Sequence, residues 1–390
     1  MYNLLLTLYL KHIKKGTGQG YPELRKGSGL IMKKTLLALA VVASATSVNA
    51  AEVFKSEEGS VDFYGQLRPT LLFTEKTDHT AELNTSSSRT GVNAVYVVDE
   101  SLKVLGEVEI GVALGDNYDA GADSSERTDD SVYVRRHIIG FDMGDMGTLR
   151  FGKEGTWADD VYFADYSYFF GGNAAETAYG HAWNNDSQIK YAYENDAFWL
   201  KAGYALGEKD SNEEVLEVFV GKSFNDLSLH AGVLTANNDI NVTKEKKLVL
   251  NGVEQTVSHT ERTDNENLSF EVTAEYALNE HTLGATYYYN ENEDKLGKST
   301  VDSHYIVVAG MFAVAPKTTL YSGYEYLAQS TDEAGKVDAD SSWFYAGVEY
   351  KFSKWARVFA EAGYTFEGTD FDNKDTDDAT NFGVGARFYW

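Results

Sequence analysis

From about residue 60 to the C-terminus, apolar and polar side chains alternate with a period of two. In NLSFEVTAEYAL (267–278), Leu268, Phe270, Val272, Ala274, Tyr276 and Leu278 are apolar. Asn267, Ser269, Glu271, Thr273 and Glu275 alternate with them. Near the end of the chain Phe382, Val384, Ala386, Phe388 and Trp390 alternate in the same way with Asn381, Gly383, Gly385, Arg387 and Tyr389. A strand turns successive side chains to opposite faces, so this pattern dictates sheet with one apolar and one wet face. Sixteen segments carry it: 61–74, 88–98, 102–114, 131–143, 147–153, 187–194, 197–206, 214–224, 227–237, 266–278, 282–290, 300–314, 318–329, 342–352, 355–366 and 381–390.

The connections between these segments alternate too. Short ones, such as Asn195-Asp196, Asn225-Asp226 and Ser353-Lys354, are followed by long ones at 75–87, 115–130, 154–186, 207–213, 238–265, 291–299, 330–341 and 367–380. Tight turns at one end and long polar loops at the other are the plan of a transmembrane β-barrel. Tyr287, Tyr289, Tyr350 and Phe352 stand near the ends of apolar faces, where interfacial girdles form. A soluble sandwich would alternate as well, but its inner face would be densely packed with large apolar side chains. Here the apolar faces are diluted by Gly, Ala and Thr, and the opposite faces carry charge. The expected fold is therefore all-β: a transmembrane antiparallel β-barrel of sixteen strands with long extracellular loops. In lipid every strand must pair, so the sheet closes, and sixteen tilted strands leave an aqueous lumen. Glu271, Glu275, Glu361 and Arg387 then stay hydrated in mid-strand.

The N-terminus reads as processing sequence. Met32-Lys33-Lys34, the apolar run 35–46 and Val48-Asn49-Ala50 form a signal peptide at 32–50, cleaved after Ala50. Residues 1–31 read as a translation start placed too early, which leaves 51–390 as the barrel. The first 50 residues hold seven Lys/Arg and one Glu, so without them the formal charge moves from −26 to −32. Such an acidic chain repels nucleic acid. It contains no Cys, which excludes disulfides and thiolate metal sites.

The loop at about 154–186 is long and rich in aromatic residues, including Trp157, Tyr162, Phe163, Tyr166, Tyr168, Phe169 and Phe170. A loop of this kind needs a surface to pack on, and the lumen offers one. The third loop is thus expected to fold inward and narrow the channel, with an outward lid as the alternative. Acid runs at 116–130 and 370–378 lack the spacing of a calcium loop, so no metal is assigned. Gly297-Lys298-Ser299-Thr300 lacks the first Gly of a phosphate loop. The eight His form no catalytic grouping, although His137 and His230 could face the lumen. Neither an enzymatic activity nor a cofactor is expected.

At this point the chain resembles the Gram-negative general-diffusion porins. SVDFYGQLRPTLLF (60–73) is similar to their first strand and SSRTGVNAVYVV (87–98) to their second. SVYVRRHIIGFDMGDMGTLRFGKEG (131–155) resembles the approach to their constriction loop, and YFFGGN (168–173) the turn within it. The resemblance implies a homotrimer in the outer membrane of a Gram-negative cell. Outer-membrane lipid and lipopolysaccharide would surround it. The barrel assembly machinery would recognise Trp390, and small hydrophilic solutes and ions would pass. It also implies a transverse field between basic wall residues and acidic loop residues. The wall set would be Arg68, Arg89, Arg135, Lys153 and Lys190, and the loop set Asp159, Asp160, Asp165 and Glu176. The family's first-strand Lys is Gln66 here, with Arg68 two residues on. The acid of its loop turn is Phe169, and the wall arginine after the loop is Glu194. The net charge leads us to expect a preference for cations. An oligosaccharide-selective pore, with Trp157 and Tyr162 as an aromatic track, and a loop-mediated adhesin or receptor stand as alternatives.

Overall fold

The structure, a computed structural model, describes residues 50–390 apart from 76–78, 85–87, 114–130, 162, 179–182, 209–212 and 251–252. Residues 1–49, and with them nearly all of the expected signal segment, lie outside the described residues, as does the acid run 116–130.

The strands form one antiparallel sheet in which each pairs with its neighbour in sequence and the last pairs with the first. Gly59–Leu67 and Thr70–Phe73 make one crossing, interrupted at Arg68-Pro69. Glu82–Asn84 and Ser88–Val97 make the next. Counted this way, the closed wall has the sixteen strands expected. Proline explains the first interruption, because it brings no N–H to the ladder. Closure is made by Gly65 and Trp390, whose backbones exchange two hydrogen bonds of 3.1 Å. A short strand, Ala51–Ser56, pairs with Gly59–Phe63 beyond that point and continues the line of the final strand, Ala379–Tyr389.

Alternation places the two kinds of surface. In Glu214–Phe224, Val215, Glu217 and Phe219 are 1% exposed, whereas Leu216, Val218 and Val220 are 51%, 37% and 46% exposed. The same outward apolar row continues through Val233, Phe270, Val272, Ile306, Val308, Phe344 and Phe388. Exposed apolar residues that flank buried Glu, Lys and Arg are inverted relative to a soluble domain. The inversion fits hydrocarbon outside and a polar lumen inside.

Two strands run well beyond expectation. Leu227–Leu250 and Val253–Leu278 pair in register along their whole length, from Leu227↔Tyr276 to Leu250↔Val253. The stretch 238–265 is therefore not a loop but a two-stranded hairpin that continues past both neighbours, whose pairing stops at Asn237 and Asn265.

Candidate functional site: a loop moored in a charged lumen

The segment between strands Thr148–Gly155 and Asn184–Glu194 enters the barrel. It begins with a helical turn, Trp157–Asp160, whose start is capped by the Thr156 hydroxyl accepting from the Asp159 N–H. Trp157 is buried, and its indole N–H donates to the Ala202 carbonyl at 2.9 Å. Three cations surround the ring: Lys190 at 3.9 Å from its centre, Lys201 at 4.7 Å and Arg150 at 5.4 Å. Trp157 is thus a structural anchor and not the surface of a sugar track, while Tyr162 lies outside the described residues.

The loop is held mainly through its backbone. Glu217 accepts from the N–H groups of Trp157 and Ala158. Glu361 accepts from those of Tyr168, Phe169 and Phe170, and from the Tyr321 hydroxyl. Glu325 accepts from Gly172 and Ala174. Gly172 has φ +83°, a conformation open to glycine, which lets the chain turn while its N–H still faces Glu325. Side chains add to the mooring. The Tyr168 hydroxyl bonds Glu349, and its ring stacks on Phe359 with 3.8 Å between centres. The Tyr166 hydroxyl donates to Glu275 at 2.7 Å. Period two turns these wall glutamates inward, but no local pattern marks their partners, about 60 to 190 residues away.

The expected wall bases separate into three environments. Arg89 and Arg135 converge on one carboxylate, Glu109, at 3.8 Å and 2.6 Å. Arg68 stands on the same face, its Nε donating to Gln66 Oε1 at 2.8 Å. Lys190 sits deeper, fully buried, and donates to Asp160 and to the Gly155 carbonyl, both at 2.7 Å. Lys153 is not with them. It lies across from the exposed His137 and pairs with Asp186, while the next residue, Glu154, turns inward to Arg150. Alternation from the inward Arg150 sets Glu154 inward and Lys153 outward, and the irregularity at Gly152/Glu154 takes its extra residue from the facing strand, Asn184–Glu194.

The loop acids do not stand across an open gap from the bases. Asp160 touches them, with Lys190 at 2.7 Å, Arg136 at 3.7 Å and Arg150 at 4.0 Å. Burial alone would raise its pKa. Lys190, Arg136 and Arg150 outweigh that and hold the carboxyl well below the usual range. Asp159 moves the other way, pushed up by burial and by the charge on Asp160. Asp165 turns back into the loop and accepts from the Ser167 N–H at 2.9 Å and from its hydroxyl at 3.1 Å. Glu176 belongs to the helix Asn173–Ala178, and its side chain lies outside the described residues.

Several charged groups of this site were not singled out from sequence. Arg136 is buried at 3.8 Å from Glu107, and it faces inward together with Arg135 because the ladder shifts by one residue between Glu109 and Ile110. Arg150, Glu154 and Glu217 sit on inward positions that alternation marks. His230 does face the lumen, with Nε2 3.0 Å from Glu271, whereas His137 is exposed on the outer face.

Comparison with known proteins agrees with this architecture. A family profile described as Gram-negative porin matches residues 36–372. The porin-like protein H of Photobacterium profundum is 25% identical over 353 residues, covering 88% of this chain and 97% of that protein. The major outer membrane protein of Pasteurella multocida is 36% identical over 142 residues, so the match spans 36% of this chain and only 40% of that relative. The in-vitro folded OmpT of Vibrio cholerae, in its trimer form, superposes with a TM-score of 0.68 at 39% identity, over 86% of this chain and all of the other.

Proposed function

Because the chain belongs to the Gram-negative porin family, an outer-membrane β-barrel class, we propose that it forms a water-filled channel for passive diffusion of ions and small hydrophilic solutes. The observation that carries this reading is the moored loop. Seven backbone N–H groups of 157–174 bond to three wall glutamates, which fixes the loop inside the barrel and not over its mouth. A loop held there narrows the lumen without filling it, so size and charge sort what passes and no bond is made or broken. The barrel works as a homotrimer, by likeness to the trimer form of OmpT. Ala94 and Gly106 support flat contact between barrels, since they stand among apolar outward residues on the early strands, whereas Gly65 is covered by the Trp390 indole. Its surroundings are lipid and lipopolysaccharide, and Trp390 is the terminal aromatic that assembly machinery would engage.

The channel favours cations at low salt. Its mouths carry much of the acid excess, as in Asp370, Asp372, Asp375, Asp377 and Asp378, and acidic rims concentrate cations. The test is reconstitution in a planar bilayer. Conductance should appear in triplets of equal steps and grow with KCl. A purified, folded protein that inserts but never conducts would refute the channel.

A further inference from the structure

We propose that Arg68, Arg89 and Arg387 form a binding subsite for small dianionic oxyanions, with inorganic phosphate as the simplest member, on the lumen wall. The inference rests on the channel reading and names one solute class that the channel would hold as well as pass.

The three arginines converge from three adjacent strands. Gln66 pairs with Arg89 on one side and with Tyr389 on the other, and Leu67 pairs with Phe388. Arg68 therefore shares an inward face with its neighbours Arg89 and Arg387, and it lies within electrostatic reach of both and of Arg135.

The charges of this group are poorly matched. Glu109 is shared by Arg89 and Arg135, and among the described residues neither Arg68 nor Arg387 has a carboxylate within 4.0 Å. Elsewhere on the wall the bases are paired: Lys190 with Asp160, Arg150 with Glu154, Arg357 with Glu349. The Nε of Arg89 is buried without a hydrogen-bond partner, and such a donor is costly to leave unmet.

The geometry around the group is preset. Arg387 lies 4.4 Å from the centre of the Tyr168 ring, and that ring is itself stacked on Phe359. The guanidinium plane is thus positioned by the moored loop. Arg68 is oriented by Gln66. Planar N–H forks set in this way match tetrahedral and planar oxyanions in two-point contacts, whereas chloride accepts no more than a point attraction. Phe169 stands beside Gly383 and Gly385, so the loop presents an aromatic and not an acid to this wall. A dianion therefore meets no carboxylate from the loop tip.

The experiment records single trimers in about 0.1 M KCl, where screening is moderate, while potassium phosphate is added in mildly alkaline buffer. Phosphate should block the chloride component saturably, and acetate should do so far less. Arg68→Gln, Arg89→Gln and Arg387→Gln should each raise the half-blocking concentration about five- to tenfold, and Arg89→Lys should raise it too, because charge without the fork does not replace guanidinium. Lys103→Gln, which removes a charge paired with Asp142 outside the group, should leave it unchanged. Calorimetric titration of phosphate into the detergent-solubilised trimer should give one site per chain, weakened in the same variants. Block that never saturates, or an Arg89→Lys variant identical to the unmodified pore, would replace the subsite by a diffuse field and leave the channel reading standing. A protein that does not conduct would overturn both.

Discussion

Arg89 and Arg135 share one counter-ion, and that determines what removing either should do. Two unit charges 4 Å apart interact by about 1 kcal/mol in water but about 4 kcal/mol at an effective dielectric of 20. A wall charge in a narrowed lumen therefore weighs more on a passing ion than a surface charge does. Arg89→Ala and Arg135→Ala should each shift the reversal potential toward stronger cation preference, and the double variant further. Unchanged reversal potentials would show that ions pass Glu109 without sensing either base. The acids at the root of the loop differ in how they respond to pH. Asp160 is held below its ordinary value near 3.9, so its contribution is complete above that pH and is lost only as pH falls toward the lowered value. Asp159 is raised, so it opposes the docked state once ionised and ceases to do so as pH falls. The Asp160 contribution should thus hold from neutral pH down to about 4 and be lost below it, any change above that range belongs to Asp159, and Asp160→Asn should remove the change below about 4. A conductance collapse near neutral pH would place the controlling group elsewhere. Arg136 shows where sequence reading stops at this scale. Period two allows only one of two adjacent arginines to face inward. The bulge that turns both inward is a property of the pairing with Glu109 and Ile110, not of either residue.

Among the elements, the inward loop depends on a few carboxylates. Glu361 accepts from three consecutive backbone N–H groups and one hydroxyl. Each bond to a charged acceptor contributes about 1.5–3 kcal/mol. Glu361→Ala would strand all of those donors inside the barrel. It should lower the thermal midpoint by several degrees, add flicker to single-channel records and expose 165–172 to protease. Glu361→Gln keeps the shape but can accept with one oxygen only, and should fall between. Steady records and an intact loop in both variants would mean that the stacking of Tyr168 on Phe359 holds the segment without the carboxylate. The strands themselves were legible because each has one wet and one apolar face, and most boundaries fall within three residues of expectation. The hairpin through 238–265 was not, because Lys244, Glu245, Lys246 and Lys247 interrupt the alternation that marks the lipid-facing strands. Above the bilayer no apolar face is required, so the usual signal disappears while the pairing persists. The dipeptide Asn251-Gly252 between the two strands is, as sequence, the one remaining local signal of a hairpin.

For the whole molecule, most inward acids prove to be engaged. Glu107 accepts from the Tyr64 hydroxyl at 2.9 Å, Glu349 binds Arg357 and Lys351 at 2.8 Å and 2.9 Å, and Glu217, Glu325 and Glu361 hold the loop. The proposed cation preference then rests chiefly on the mouths, where charge is exposed and screened. It should be clear in dilute KCl and fade as the Debye length contracts from about 10 Å at 0.1 M to about 3 Å at 1 M. Reversal potentials across a salt gradient check this. Anion preference in dilute salt would show that the arginines dominate the mouths.

The moorings also bear on how such a pore can change over generations. The three glutamates grip main-chain N–H groups, which every residue except proline supplies, and the loop contains no proline between 154 and 186. Side chains along most of the loop can therefore be exchanged while the grip stays the same. The barrel behaves as a fixed socket and the loop as a replaceable cartridge, so lineages could retune what they admit without redesigning the wall that holds it.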